Sequence, residues 1–287
     1  MTALLSPRWI LLAAIVTFFS GTFSLVTGVP HPMREGLVSI VHVAAYAAGI
    51  YLAGKIAAEH RSSASVQLAW NLIGLSSGFS LIRHTAFLLH GFQLLNGMPA
   101  PVYYLITQLP MALAVLSFLA GLISMWCAFS ALGLGFHARR VDIALLILIV
   151  LLMPPILLSR GLQNPSELTS SIYLLRYAGP LLLPACAGIA VLLHRIAYQM
   201  RGGDMSRALL CLIAYPVLRL IAALLALNPG LRQIQILYIT QASLMQIVPL
   251  LFTLGLAYRW QITVRASRAF RLRPEWNSAS PSPVVVN

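Results

Sequence analysis

Long apolar stretches, separated by short clusters of turn-forming residues, make up most of this chain. A hydrocarbon core of about 30 Å takes around 20 apolar residues of helix to cross. Eight stretches meet that measure, approximately 9–29, 36–57, 67–90, 102–134, 141–159, 171–198, 208–228 and 234–258. The breaks between them carry helix-ending and chain-turning residues. Examples are Val29-Pro30-His31-Pro32, Asn96-Gly97-Met98-Pro99, Gln163-Asn164-Pro165-Ser166, Arg201-Gly202-Gly203-Asp204 and Asn228-Pro229-Gly230. The fourth stretch is too long to stand perpendicular to the bilayer, so it is expected to tilt or to extend beyond the lipid. The pattern predicts an all-α, polytopic membrane helix bundle of about eight transmembrane helices. Several helices are expected to be proline-kinked, because Pro110, Pro154, Pro155, Pro180, Pro184, Pro216 and Pro249 fall inside stretches and each proline removes a helix hydrogen bond.

Composition agrees with that pattern. Of the 287 residues 59% are hydrophobic and 9% charged, with a mean hydropathy of +0.86. A soluble domain has about 25% charged residues, so an ordinary soluble enzyme and a disordered chain are both excluded. The first stretch follows Arg8 and runs longer than a secretory signal core, with no small-residue cleavage site after it. It is expected to stay as an uncleaved helix. The cysteines, Cys127, Cys186 and Cys211, lie inside apolar stretches with no CxxC spacing. They read as small core residues and not as a disulfide framework.

Charge fixes an expected orientation. The net charge of +13 is spread over alternate breaks, so no nucleic-acid patch is expected. With both termini cytoplasmic, thirteen basic residues face inward: Arg8, Lys55, Arg61, Arg139, Arg140, Arg195, Arg201, Arg207, Arg259, Arg265, Arg268, Arg271 and Arg273. Four face outward, Arg34, Arg160, Arg176 and Arg232. That bias follows the positive-inside rule and places the chain in the cell inner membrane as a multi-pass protein. Reporter fusions after Lys55, Arg140, Arg201 and Arg273 are expected to read as cytoplasmic, and an external signal at Arg140 or Arg201 would reject the eight-span reading. Residues 1–258 form the expected bundle. Residues 259–287 are expected to be a basic interfacial helix on anionic lipid, followed by a disordered tail.

The candidate chemistry lies in polar residues placed in an apolar solvent. Ionisable groups inside a membrane are costly and face the bundle interior. Arg83 and His84 in the third stretch and His42 in the second fall at one expected depth, in the outer third. Tyr46 shares the His42 face by the three-and-four rule, and Tyr215 precedes Arg219 by four residues in the seventh stretch. Gln108 and Gln241 enter from the outer ends of the fourth and eighth. Arg83, His84, His42, Arg219, Tyr215, Tyr46, Gln108 and Gln241 are therefore the expected ligand-binding set. They would line an outward-facing, anion-accepting pocket of a small-molecule transporter or receptor-like sensor. No second intramembrane charge of opposite sign accompanies the arginines, since Glu35 and Glu167 sit only at the outer boundary.

No HExxH, GxSxG, Walker or dinucleotide-binding sequence occurs, so enzymatic activity, a metal site and a resident cofactor are not expected. The alternative reading comes from another class. His42 and His84 on consecutive antiparallel helices match the ligand placement of a bis-histidine haem b, which would make the chain a haem- or quinone-binding electron-transfer subunit. The sequence carries no signal for a protein partner.

Overall fold

A computed structural model of the protein describes residues 6–27, 31–95, 97–131, 171–199, 203–227 and 235–271, together with Ala144, Ile147 and Leu151. Among the described residues all regular structure is helical. There are seven helices: α1 (Pro7–Val26), α2 (His31–Glu59), α3 (Ala64–Gly91), α4 (Ala100–Ala131), α5 (Ser171–Gln199), α6 (Asp204–Leu227) and α7 (Gln235–Arg271). Six of them, α2 to α7, contain stretches long and apolar enough to cross a membrane, and the apolar part of α1, Pro7–Phe23, is shorter. The chain is thus a multi-pass, membrane-type helix bundle. The expected fifth stretch, 141–159, lies outside the described residues apart from the three isolated positions.

Helices prevail because a backbone in lipid must satisfy its hydrogen bonds within the segment. Their outer surfaces carry many large apolar residues. On α3, Leu68, Leu75 and Ile82 recur at seven-residue spacing and are about half exposed, while Trp70 and Ile73 between them are buried. Turn chemistry sets the ends. Between α3 and α4, Gly97 takes a left-handed φ of 89° and Gln93 a φ of 61°, and the Leu94 amide donates to the Leu89 carbonyl at 2.9 Å. Of the expected kink sites, Pro110, Pro180, Pro184, Pro216 and Pro249 all lie inside helices that continue through them, and Pro154 and Pro155 lie outside the described residues.

α7 runs for 37 residues to Arg271 and passes through the expected boundary at 258/259 as one continuous helix. No proline or glycine follows Gly255 in it, so nothing stops the helix from propagating. Tyr258 and Trp260 pack against the hydrophobic core. Residues 272–287, the expected tail, lie outside the described residues. The cysteines are free, but only Cys186 is buried; Cys211 is half-buried and Cys127 exposed. A thiol facing lipid costs little, since apolar residues and lipid tails are equivalent surroundings.

The arrangement is a closed ring. Each of α2 to α7 packs against the next in chain order, and α7 closes on α2. Helix α1 lies outside the ring along α7, where Thr22 and Ser243 share a hydroxyl–hydroxyl bond of 2.8 Å. Across the closing seam, the Thr253 hydroxyl lies 2.9 Å from the Ala45 carbonyl oxygen. Two glycines set the closest approaches. A Cβ on Gly121 would lie 2.9 Å from Ile73 Cγ1 and 3.2 Å from the Ala69 carbonyl oxygen, and one on Gly255 would lie 3.0 Å from the Ala208 carbonyl oxygen. Small residues at such seams let helices pack without a hydrophobic driving force. Gly121→Ala and Gly255→Ala are expected to destabilise the purified protein by about 1–3 kcal/mol each through overpacking. Gly54→Ala, where nothing lies within 4 Å, should be neutral or stabilising by up to ~1 kcal/mol. Thermal unfolding in detergent checks the contrast.

Candidate anion pocket

The bundle has two ends. At the upper end α2 and α7 begin and α3 and α6 finish; at the lower end α1 and α6 begin and α2 and α7 finish. Near the upper end, inside the ring, is a cavity of about 170 Å3. At ~30 Å3 per water, it has room for about five water molecules or a small anion. Its polar lining comes from four helices: Ser39, His42 and Tyr46 on α2, Arg83 and His84 on α3, Arg219 on α6 and Gln246 on α7.

Five of the eight residues expected to bind ligand, His42, Tyr46, Arg83, His84 and Arg219, therefore meet at one cavity. Tyr215 sits behind it. Its hydroxyl accepts from Arg219 Nη1 at 2.7 Å, and the Arg219 guanidinium carbon lies 5.3 Å from its ring centre. Gln108 and Gln241 are half-buried and do not line the cavity; Gln108 lies on α4 with its amide 3.5 Å from the Thr107 hydroxyl. α4 supplies none of the cavity residues, because the ring inserts α2, α3, α6 and α7 at this level.

Gln246 is, with Ser39, one of two polar lining residues that sequence reading left out of the set. It belongs to the polar run Gln241, Ser243 and Gln246 in the first part of α7, and only the three-residue step to Pro249, which also lines the cavity, marks it as a cavity residue. A Cβ on Gly21 would overlap its side-chain amide, so glycine on α1 leaves the space that Gln246 fills. Its Oε1 is buried with no hydrogen-bond partner among the described residues.

The histidines form a chain whose proton positions follow from chemistry. His42 Nε2 lies 2.9 Å from the Gln246 carbonyl oxygen, and a carbonyl only accepts, so Nε2 carries the hydrogen. His42 Nδ1 lies 3.2 Å from His84 Nδ1. In neutral His42 that nitrogen is the acceptor, and His84 Nδ1–H donates to it. The rings meet edge to face, with centroids 4.6 Å apart and planes at 88°, and His84 stacks on Tyr46 at 5.3 Å. Nitrogen-15 spectra of the histidine-labelled protein are expected to report a neutral His42 protonated at Nε2 and a neutral His84 protonated at Nδ1. Reversed tautomers in the ligand-free protein would contradict this chain.

Among the described residues neither Arg83 nor Arg219 has an anionic partner. Arg83 lays its guanidinium 4.8 Å from the Phe87 ring centre, and its buried Nε has no hydrogen-bond partner among the described residues. Arg219 is 5% exposed, so its charge is largely removed from bulk water. Among the six acidic residues, Glu59 alone has a described side chain, and it is exposed at the lower end of α2. A buried charge left unpaired costs several kcal/mol. Two guanidiniums and two imidazoles around one small cavity therefore constitute an environment that favours an anion.

A dense aromatic floor closes the cavity below. Phe252 lies 5.1 Å from Tyr215, 5.8 Å from Phe118 and 6.4 Å from Tyr46, centre to centre. Beneath it, at the lower end of the ring, is a second cavity of about 170 Å3 lined by His60, Trp70, Met125 and Arg259 among others. There Arg259 Nη2 donates to His60 Nε2 at 2.7 Å, and His60 Nδ1–H donates to the Ile56 carbonyl at 2.8 Å.

Haem b is not well served by this arrangement. The two imidazoles bond each other directly, His42 Nε2 is engaged by a backbone carbonyl, and the adjoining cavity is about 170 Å3, with no slot for a porphyrin between the rings. Comparison with family models, curated proteins and solved structures gave no match to this chain, so its geometry alone carries the functional reading.

Proposed function

We propose that this protein binds a small anion, of the carboxylate or phosphate class, in the upper cavity, and that it is a membrane transporter of that anion. The observation that carries the reading is the meeting of Arg83 and Arg219, from helices α3 and α6 that are not neighbours in the ring, at one cavity with His42 and His84. Guanidinium groups bind carboxylate and phosphate through paired, charge-assisted hydrogen bonds. His84, Tyr46 and Gln246 then orient the ligand, and the aromatic floor keeps it from the lower end.

Transport is favoured over sensing by cavities at both ends of the ring interior and by the prolines in α4, α5, α6 and α7. Each proline frees a backbone carbonyl inside its helix, and such carbonyls are material for transport sites. A receptor-like sensor would use the same pocket, with α1 or α7 carrying the signal. The eight-span, both-ends-cytoplasmic topology draws support from parity. α4 finishes at the lower end, where Met125 and Phe129 line the second cavity. α5 finishes there too, since only residues 200–203 separate it from α6. α5 therefore begins at the upper end, opposite the end at which α4 finishes.

The test uses the full chain in sealed vesicles, with a panel of labelled small carboxylates and inorganic phosphate. Uptake above protein-free vesicles that is lost in Arg219→Gln supports transport. Binding without flux supports the sensor, and neither binding nor flux across the panel rejects the pocket.

A further inference from the structure

At the lower end a groove of about 860 Å3 opens between α1, α6 and α7. It lies at the opposite end of the bundle from the anion pocket and shares no residue with it. Each helix contributes one arginine to its wall: Arg8, Arg207 and Arg265, all with exposed side chains. Trp9, Leu12 and Tyr258 complete an aromatic and apolar flank, and among the described residues no acidic side chain lines it.

An apolar track leads directly out of the groove. Trp9, Leu12, Val16, Phe19 and Phe23 follow one another at alternating steps of three and four along α1, so they form a single stripe. All five are strongly exposed, from 47% for Leu12 to 69% for Phe23. Trp9 and Leu12 belong to both features, walling the groove and starting the stripe. From Trp9 to Phe23 the stripe runs about 21 Å at 1.5 Å per residue, comparable to an acyl chain. The ring helices carry exposed apolar residues too, but among the described residues only here does the exposed stripe begin between three arginines.

We propose that this groove is a binding site for an anionic phospholipid, its headgroup phosphate held by Arg8, Arg207 and Arg265 and one acyl chain lying on the α1 stripe. The guanidinium fork matches phosphate oxygens bidentately. Indole at Trp9 sits at the depth where tryptophan anchors at the lipid–water interface. Charge and shape both select the occupant: a soluble phosphate satisfies the arginines but has no use for the stripe, and a zwitterionic lipid brings its own cation to the arginines. The site exists only in the folded protein, because its arginines stand nearly 200 residues apart in sequence between Arg8 and Arg207. It also gives α1, which packs outside the ring, a lipid-mediated link to α6.

The experiment is native mass spectrometry of the full-length protein released from nanodiscs that hold phosphatidylglycerol and phosphatidylcholine in equal amounts. The wild type is expected to retain one phosphatidylglycerol after delipidation. Arg8→Gln combined with Arg265→Gln is expected to weaken that retention by about thirtyfold, each lost charge counting for a factor of roughly five. Lys55→Gln combined with Arg61→Gln removes the same charge from exposed positions outside the groove and should leave retention unchanged. Equal losses in the two double variants would mean diffuse surface attraction and would overturn the site. A measurement on the wild type alone guards against misfolded variants: phosphatidylglycerol should raise its thermal midpoint and phosphatidylcholine should not. An equal rise with both lipids, or a rise with inorganic phosphate that matches phosphatidylglycerol, would equally defeat the proposal.

Discussion

Arg219→Gln is expected to lower the affinity for the bound anion by about 10- to 150-fold, the range that a charge-assisted hydrogen bond of 1.5–3 kcal/mol commands. The same change should leave the ligand-free protein as stable as the wild type, or more so. Arg219 is buried, its described partner is the neutral Tyr215 hydroxyl at 2.7 Å, and removing an under-compensated buried charge relieves its desolvation. The two effects together separate a binding role from a structural one. Thermal midpoints measured with and without a small carboxylate supply the readout. If the variant unfolds earlier without ligand and keeps the full ligand-induced shift, Arg219 is a strut of the ring and not part of a pocket. Arg83→Gln should behave alike, since its buried Nε lacks a partner among the described residues.

Phe252→Ala should have the largest effect on stability, a loss of about 3–5 kcal/mol. Phe252 is 1% exposed and touches the rings of Tyr46, Phe118 and Tyr215, which come from α2, α4 and α6. Its removal leaves a void that no single neighbour can fill, because those three helices are held apart by their own seams. The void adjoins the floor of the upper cavity, so the variant is also expected to become leaky in vesicles. Unfolding by denaturant in mixed micelles gives the first quantity and dye efflux the second. Phe252→Leu, which keeps much of the volume, should recover most of both. A variant that loses stability without any rise in leak would show that the floor is only packing.

Much of this fold was legible before any coordinates. Seven of the eight expected stretches coincide with described helices, because the lipid requirement for internally bonded backbone is absolute and the apolar runs that meet it are long. Gly97 signalled its turn by residue type alone. The far end of α7 was less legible: arginines at 259 and beyond signalled departure from the apolar solvent, but a charge does not end a helix. His42, Arg83, His84 and Arg219 were also legible, since an ionisable group inside an apolar run stands out wherever it points. Gln246 was not, because an amide near a helix end is ordinary in either setting, and Gln108 and Gln241 have that same signal without lining the cavity.

The sequence by itself determined the solvent, the helices and the identity of the costly side chains. Those properties are local: each depends on a run of residues and on the free energy of placing them in hydrocarbon. Only the tertiary structure decided which costly side chains share a space. Arg83 and Arg219 are separated by more than a hundred residues, and they meet because α7 closes on α2 and turns a row of helices into a ring. The seams that permit closure, at Gly121 and Gly255, depend on what a neighbouring helix places opposite them. That is a property of two segments together, and no reading of either one alone contains it.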